Sequence, residues 1–142
     1  MGGVEVKIAA IGDNVIDRYL NKGVMYPGGN AVNVAAHASM LGAQAAYIGE
    51  IGNDLGGRII TDALSSLNVD LSQSCMPEKA TTKTCDVNVY NGERVEVGYD
   101  TGACWAHKTH INDSDVKFLQ GFDAVFTLSL IHISEPTRHL RI

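Results

Sequence analysis

The 142-residue chain has no CxxC pair, only three prolines, 6% aromatic residues and no long apolar run. A stretch of ~20 apolar residues is needed to cross a bilayer as a helix, so no membrane partner is expected. The cysteines Cys75, Cys85 and Cys104 are odd in number and widely spaced. That spacing argues against a disulfide framework and against a zinc site. They are read as reduced thiols, and the protein as cytoplasmic. The first residues lack a basic segment followed by an apolar stretch, so no secretory signal is expected. Basic residues are also scarce: 11 Lys and Arg face 16 Asp and Glu, a net charge of −5. Nucleic-acid binding needs a basic footprint, and this chain has none. With 45% hydrophobic and 19% charged residues, the composition is that of one folded domain, not a disordered tail.

What the chain has in excess is glycine, 15 residues of 142, against a usual ~7%. Most of these glycines lie between Gly12 and Gly57, outside any low-complexity tract. Such glycines mark tight turns and close approach of backbone to a ligand.

Periodicity gives the order of elements. Val6–Ile11 reads as a buried strand ending at Gly12-Asp13, and Val15–Met25 as an exposed hairpin. Ala31, Val34, Ala35, Ala38 and Leu41 recur at spacings of three and four, the packing face of a helix stopped by Gly42. Ala45–Gly49 reads as the next strand. Asp54–Leu67 reads as a second helix with Ile59, Ile60, Ala63, Leu64 and Leu67 inward. The alternation predicts an α/β fold in three layers around a parallel sheet. Thr82–Tyr99 behaves differently. It alternates polar and apolar residues around Asn91-Gly92, a hairpin signal, and its polar face sets it apart from the central sheet. Asn112 or Asp113 opens a short helix, and Phe122–Thr127 reads as a further buried strand.

The segment Pro27-Gly28-Gly29-Asn30-Ala31-Val32-Asn33-Val34-Ala35 carries most of the functional signal. Two glycines open a helix with asparagines at its first turn. There free N–H groups, a positive dipole end and side-chain amides suit sugar hydroxyls. The bland alternative is a Gly-rich turn with Asn30 as a plain N-cap.

Gly29-x-Ala31-x-Asn33-x-Ala35, followed by Gly42 and Gly52, resembles the N-terminal signature of the ribokinase-like (PfkB) carbohydrate kinases. Gly12-Asp13 after the first strand and Glu50-Ile51-Gly52-Asn53-Asp54-Leu55-Gly56 after the next are similar to that family too. The resemblance covers roughly Val6–Thr127. Ile11–Asp17 together with Gly28–Ala35 looks most like fructoselysine 6-kinases.

The resemblance implies a ribokinase-like α/β/α sheet with a small β lid, whose hairpins lie near 15–27 and 82–100. It implies transfer of a phosphoryl group from ATP, with Mg²⁺, to a hydroxyl of a small sugar substrate. Carried onto this chain, the substrate-binding positions are Asp13, Gly28, Gly29, Asn30 and Asn33, with Asp17 and Asp100 as lid contacts. The lid in this family can also form a dimer interface, so the resemblance allows a homodimer of the complete enzyme. The family's Gly-Ala-Gly-Asp motif, which supplies the base and anion hole, is absent, and family members are about twice as long. Residues 1–127 are therefore expected to be the N-terminal, substrate-holding portion of a kinase domain, with no catalytic or metal-binding residue assigned. Residues 128–142 resemble a translated sequencing adaptor and are expected to be a non-native tail.

Inside the enzyme class, ribokinase, fructokinase and nucleoside kinase are the alternatives; outside it, a non-catalytic sugar-binding module. His37 reads as a solvated side chain. His107 and His110, beside Trp105 and Lys108, read as a surface loop.

Overall fold

The computed structural model describes residues 5–102 and 111–128. The expected loop of Trp105, His107, Lys108 and His110 lies outside them with Cys104, as does all of the expected tail but Leu128.

The first strand, β1 (Lys7–Gly12), runs parallel to β4 (Gln44–Ile48) on one side and β7 (Ala124–Leu128) on the other. Helix α1 (Asn30–Met40) connects towards β4 and packs on this sheet together with α2 (Leu55–Ser66). Ala31, Ala35 and Ala38 are buried on α1, so its backbone lies close against Ala10, Ala45 and Tyr47. Ile60 and Leu64 of α2 close the same core, with Ile59 and Leu67 partly buried beside them. Ala9 pairs with Ala46, one step out of phase with the Ala10–Tyr47 pair, so the two pairs face opposite sides of the sheet. Ala9 and Ala46 are nevertheless 0% and 1% exposed, so both faces are covered there, as the layered α/β reading requires.

The second sheet has the order β3-β2-β5-β6. Its hairpins are β2 (Val15–Tyr19) with β3 (Val24–Gly28), and β5 (Thr84–Tyr90) with β6 (Glu93–Asp100). Asn91 and Gly92 hold φ values of 51° and 85°, the left-handed pair that a two-residue hairpin turn requires. The hairpins join through a parallel pairing of β2 with β5, which no local pattern announces.

Four boundaries or faces differ from expectation. Leu41 is 88% exposed, because α1 ends there and Leu41 serves as its C-cap. The left-handed turn at Gly42, φ 91°, then redirects the chain into β4 and the core. Phe122 belongs to the turn before β7, where its ring meets Phe118 at 5.0 Å. Strand β7 is not fully buried: Val125 is 45% exposed, since β7 has β1 on one edge and no partner on the other among the described residues. It also reaches Leu128, which pairs with Gly12, one residue past the strand end expected at Thr127. The short helix α3 (Asp113–Leu119) is opened by Asn112, with Asp115 completing a capping box.

Candidate functional site

The C-terminal end of β1, the start of α1 and the near edge of the second sheet meet at one mouth. Asp13 leaves β1 with its side chain 36% exposed. Gly29 is the N-cap of α1, at φ 103°, so Asn30 is the first helical residue and not the cap. A Cβ on Gly29 would stand 2.6 Å from the Asp13 carbonyl and 3.0 Å from Asn14 Cα. Gly29 is thus required both by its conformation and by the contact that seats α1 on the Asp13 turn. One residue earlier, a Cβ on Gly28 would meet Asp17 Oδ2 at 3.1 Å. Asn30 and Asn33 are exposed on the first turn, and the Asn33 amide donates to the Gly29 carbonyl at 2.9 Å. Asp13, Asp17, Gly28, Gly29 and the α1 start are therefore brought together.

Asp100 is not brought to them. It pairs with Thr84 and thence Ile16, whereas Asp17 pairs with Cys85 and thence Tyr99. Alternation puts these two rows on opposite faces. The Asp100 carboxylate instead accepts from the Gly102 amide at 2.9 Å.

Beneath the mouth lies a buried polar brace. Tyr47, 0% exposed, donates its hydroxyl to the Gly12 carbonyl at 2.7 Å. It accepts from Asn14 Nδ2 at 2.9 Å, which also donates to the Glu50 carbonyl at 2.6 Å. A Cβ on Gly49 would collide with the Tyr47 hydroxyl. The brace ties the ends of β1 and β4 and holds the peptide that carries Asp13. Neither Asn14 nor Tyr47 was among the sequence candidates, because Tyr47 reads as an ordinary strand aromatic until its neighbour across the sheet is known.

The second sheet adds two cations that sequence reasoning also missed. Lys83 Nζ lies 3.9 Å from Asp13 Oδ2 and 5.2 Å from the centre of the Tyr99 ring. Arg94 Nη2 lies 3.3 Å from Asp17 Oδ1, and Nη1 lies 2.7 Å from Glu96 Oε1.

Asp54 anchors the junction between the layers. It caps α2, accepting from the Gly57 amide at 2.9 Å. It also accepts from the Thr82 hydroxyl at 2.6 Å and the Thr82 amide at 2.8 Å. Thr82 is where the chain turns up into β5. Burial pushes the Asp54 carboxyl upward, but the hydrogen bonds from Thr82, Gly57 and Gly56 outweigh it and hold the group below its ordinary value. A depressed value in the folded state stabilises the fold above the unfolded carboxyl's pKa of about 4, and that contribution is lost as pH falls through the lower folded value. The melting temperature of Asp54→Asn is therefore expected to fall less steeply than that of the parent below about pH 4. Parallel slopes in thermal melts across that range would contradict it.

Among the described residues no group of three or more His, Cys, Asp or Glu is placed to hold a metal ion. No helix of the described residues is long and apolar enough to cross a membrane.

The family model for pfkB family carbohydrate kinases matches residues 5–137. The chain belongs to this family. A fructosamine kinase of Bacillus subtilis (strain 168) is 33% identical over 126 residues, 86% of this chain and 43% of the relative. Fructoselysine 6-kinase of Escherichia coli (strain K12) is 30% identical over 118 residues, 83% of this chain and 44% of the relative. The chain thus spans less than half the length of these pfkB relatives. Among solved structures, an Arabidopsis thaliana ribokinase complexed with ribose and ATP superposes with a TM-score of 0.75 at 20% identity, over 87% of this chain and 45% of the other. That likeness shows the ribokinase-like fold. An uncharacterized sugar kinase of Pyrococcus horikoshii in complex with ATP is 31% identical, with a TM-score of 0.60 over 69% of this chain and 35% of the other. The matched residues of the pfkB model extend past Thr127, into the segment whose sequence suggested a non-native tail.

Proposed function

We propose that this chain forms the sugar-holding part of an ATP-dependent kinase acting on a sugar amine of the fructosamine class. The observation that carries the reading is the convergence of Asp13, Asp17, Gly28 and Gly29 at the start of α1. Asp13 accepts hydrogen bonds from sugar hydroxyls. Gly28 and Gly29 let the ring approach the backbone, and Asn30 and Asn33 offer amides from the first turn. The second sheet acts as a lid that carries Asp17 and excludes water from the closed site. The names of the two 30–33% identical relatives favour a sugar amine over a plain sugar.

ATP and Mg²⁺ would supply the phosphoryl group and spread its charge. The described residues contain neither a metal-holding cluster nor the family's Gly-Ala-Gly-Asp motif, so they do not fit the role of that site. The lid is also proposed as a homodimer interface in the complete enzyme, and the protein as cytoplasmic, with Cys75 and Cys85 as free thiols. Residues 128–142 are proposed to be foreign sequence, which resequencing the source DNA through the Thr127 codon would decide.

The test is ATP turnover by the full-length gene product on a panel of a fructosyl amino acid, fructose, ribose and a nucleoside. The fructosyl amino acid is expected to give the highest kcat/KM. A higher value for any other member would replace the substrate class. Sugar binding with no ATP turnover on any member would favour the non-catalytic module.

A further inference from the structure

Resting on the sugar-amine reading, we propose that Arg94 docks a carboxylate carried by the substrate's non-sugar half, on the lid face beside Asp17. That half is bound as a zwitterion, with its ammonium on Asp17.

The placement follows from strand register. Tyr26, Asp17, Cys85 and Tyr99 form one transverse row of the second sheet. Alternation puts all four on one face. Arg94 lies on the same face, since it pairs with Val89, an even number of residues beyond Cys85. Its guanidinium reaches back over the row, with Nη2 3.8 Å from Cys85 Sγ and 3.3 Å from Asp17 Oδ1. A Cβ on Gly28, which lines the sugar mouth, would stand 3.1 Å from the other oxygen of that Asp17 carboxylate. Arg94 therefore stands beside Asp17, next to the proposed sugar position.

The chemistry of the face is mixed. Three carboxylates, Asp13, Asp17 and Glu96, surround two cations, Lys83 and Arg94. A sugar with hydroxyls alone can accept hydrogen bonds from a guanidinium but offers it no charge to pair with. A sugar joined through nitrogen to an amino acid brings ammonium and carboxylate groups together, and this face matches both signs. The present partners of Arg94 are also exchangeable. Its side chain is 41% exposed, and Asp17 and Glu96 are taken by different nitrogens, so neither forms the two-point fork in which guanidinium and carboxylate bind best. An exposed ion pair of this kind is weak. A ligand carboxylate that presents both oxygens gains the fork and frees Asp17 for the ammonium.

The test compares two substrates in the full-length enzyme: a fructosyl amino acid and its carboxamide, which keeps the amine and lacks the negative charge. The parent enzyme is expected to prefer the carboxylate, and Arg94→Gln to cut that preference, the ratio of the two kcat/KM values, by about tenfold. The loss should appear in KM for the sugar amine and not in KM for ATP. Arg94→Lys, which keeps the charge without the fork, should retain part of the preference and controls for folding. Equal losses on both substrates would assign Arg94 to holding Asp17 and overturn the proposal, as would a rise in KM for ATP alone. A parent enzyme that phosphorylates fructose and neither sugar amine would overturn the sugar-amine reading itself; turnover of both amines without preference would overturn only the Arg94 assignment.

Discussion

Asp13→Ala is expected to lower kcat/KM of the full-length enzyme for its sugar by about a thousandfold while leaving the fold intact. A carboxylate that accepts two hydroxyl hydrogen bonds contributes about 1.5–3 kcal/mol through each, and about 4 kcal/mol corresponds to that rate loss. The fold loses little, because the group is 36% exposed and its cationic partner Lys83 stands at 3.9 Å, a separation worth at most about 1 kcal/mol at a surface. Its main-chain position is held from below by Tyr47, which donates to the adjoining Gly12 carbonyl. Steady-state kinetics and a thermal melt check the two halves. A loss below fivefold would remove Asp13 from the substrate site; a collapsed melt would make it structural.

Gly29→Ala is expected to damage both stability and sugar binding. The residue has φ 103°, where a Cβ costs about 1–2 kcal/mol. Its Cβ would also stand 2.6 Å from the Asp13 carbonyl, and overpacking of this kind costs about 1–3 kcal/mol. The sum, roughly 2–5 kcal/mol, would be felt as a melting temperature lowered by several degrees. Relief of the clash must move α1 away from the Asp13 turn, so affinity for the sugar falls with stability. Gly42→Ala is the control. It shares the positive φ, 91°, but has nothing within 4 Å of the added methyl. Its cost should be strain alone, with sugar affinity unchanged. Equal effects of the two variants on affinity would show that the Gly29 contact has no part in binding.

The local features of the fold were legible because they depend on near neighbours. The helix over Asn30–Met40 follows from apolar residues at spacings of three and four, and its end from Gly42. The second hairpin follows from Asn91-Gly92, since few residue pairs accept two left-handed conformations in succession. Asp54 was recognisable as a helix start, but its second task, holding Thr82, was not. Thr82 lies 28 residues away, and nothing in its own sequence context marks it as a partner.

Residues of the site divide in the same way. Asp13, Gly28, Gly29, Asn30 and Asn33 stand in a short motif or directly after a strand, so their grouping could be read from spacing. Asp17 and Asp100 looked equivalent as lid contacts, yet register sends them to opposite faces. Arg94 meets Asp17 across 77 residues of chain, through a parallel pairing of β2 with β5 that neither hairpin encodes alone.

The α/β alternation, the two hairpins, the glycine-opened helix and the acidic turn after β1 are each set by local backbone preference and hydrophobic period, and so could be read along the chain. That the hairpins share one sheet, that Tyr47 and Asn14 brace the Asp13 turn, and that Lys83 and Arg94 stand beside the two carboxylates emerges in the folded chain alone. Those contacts depend on strand register and layer packing, which are settled by burial across the whole chain.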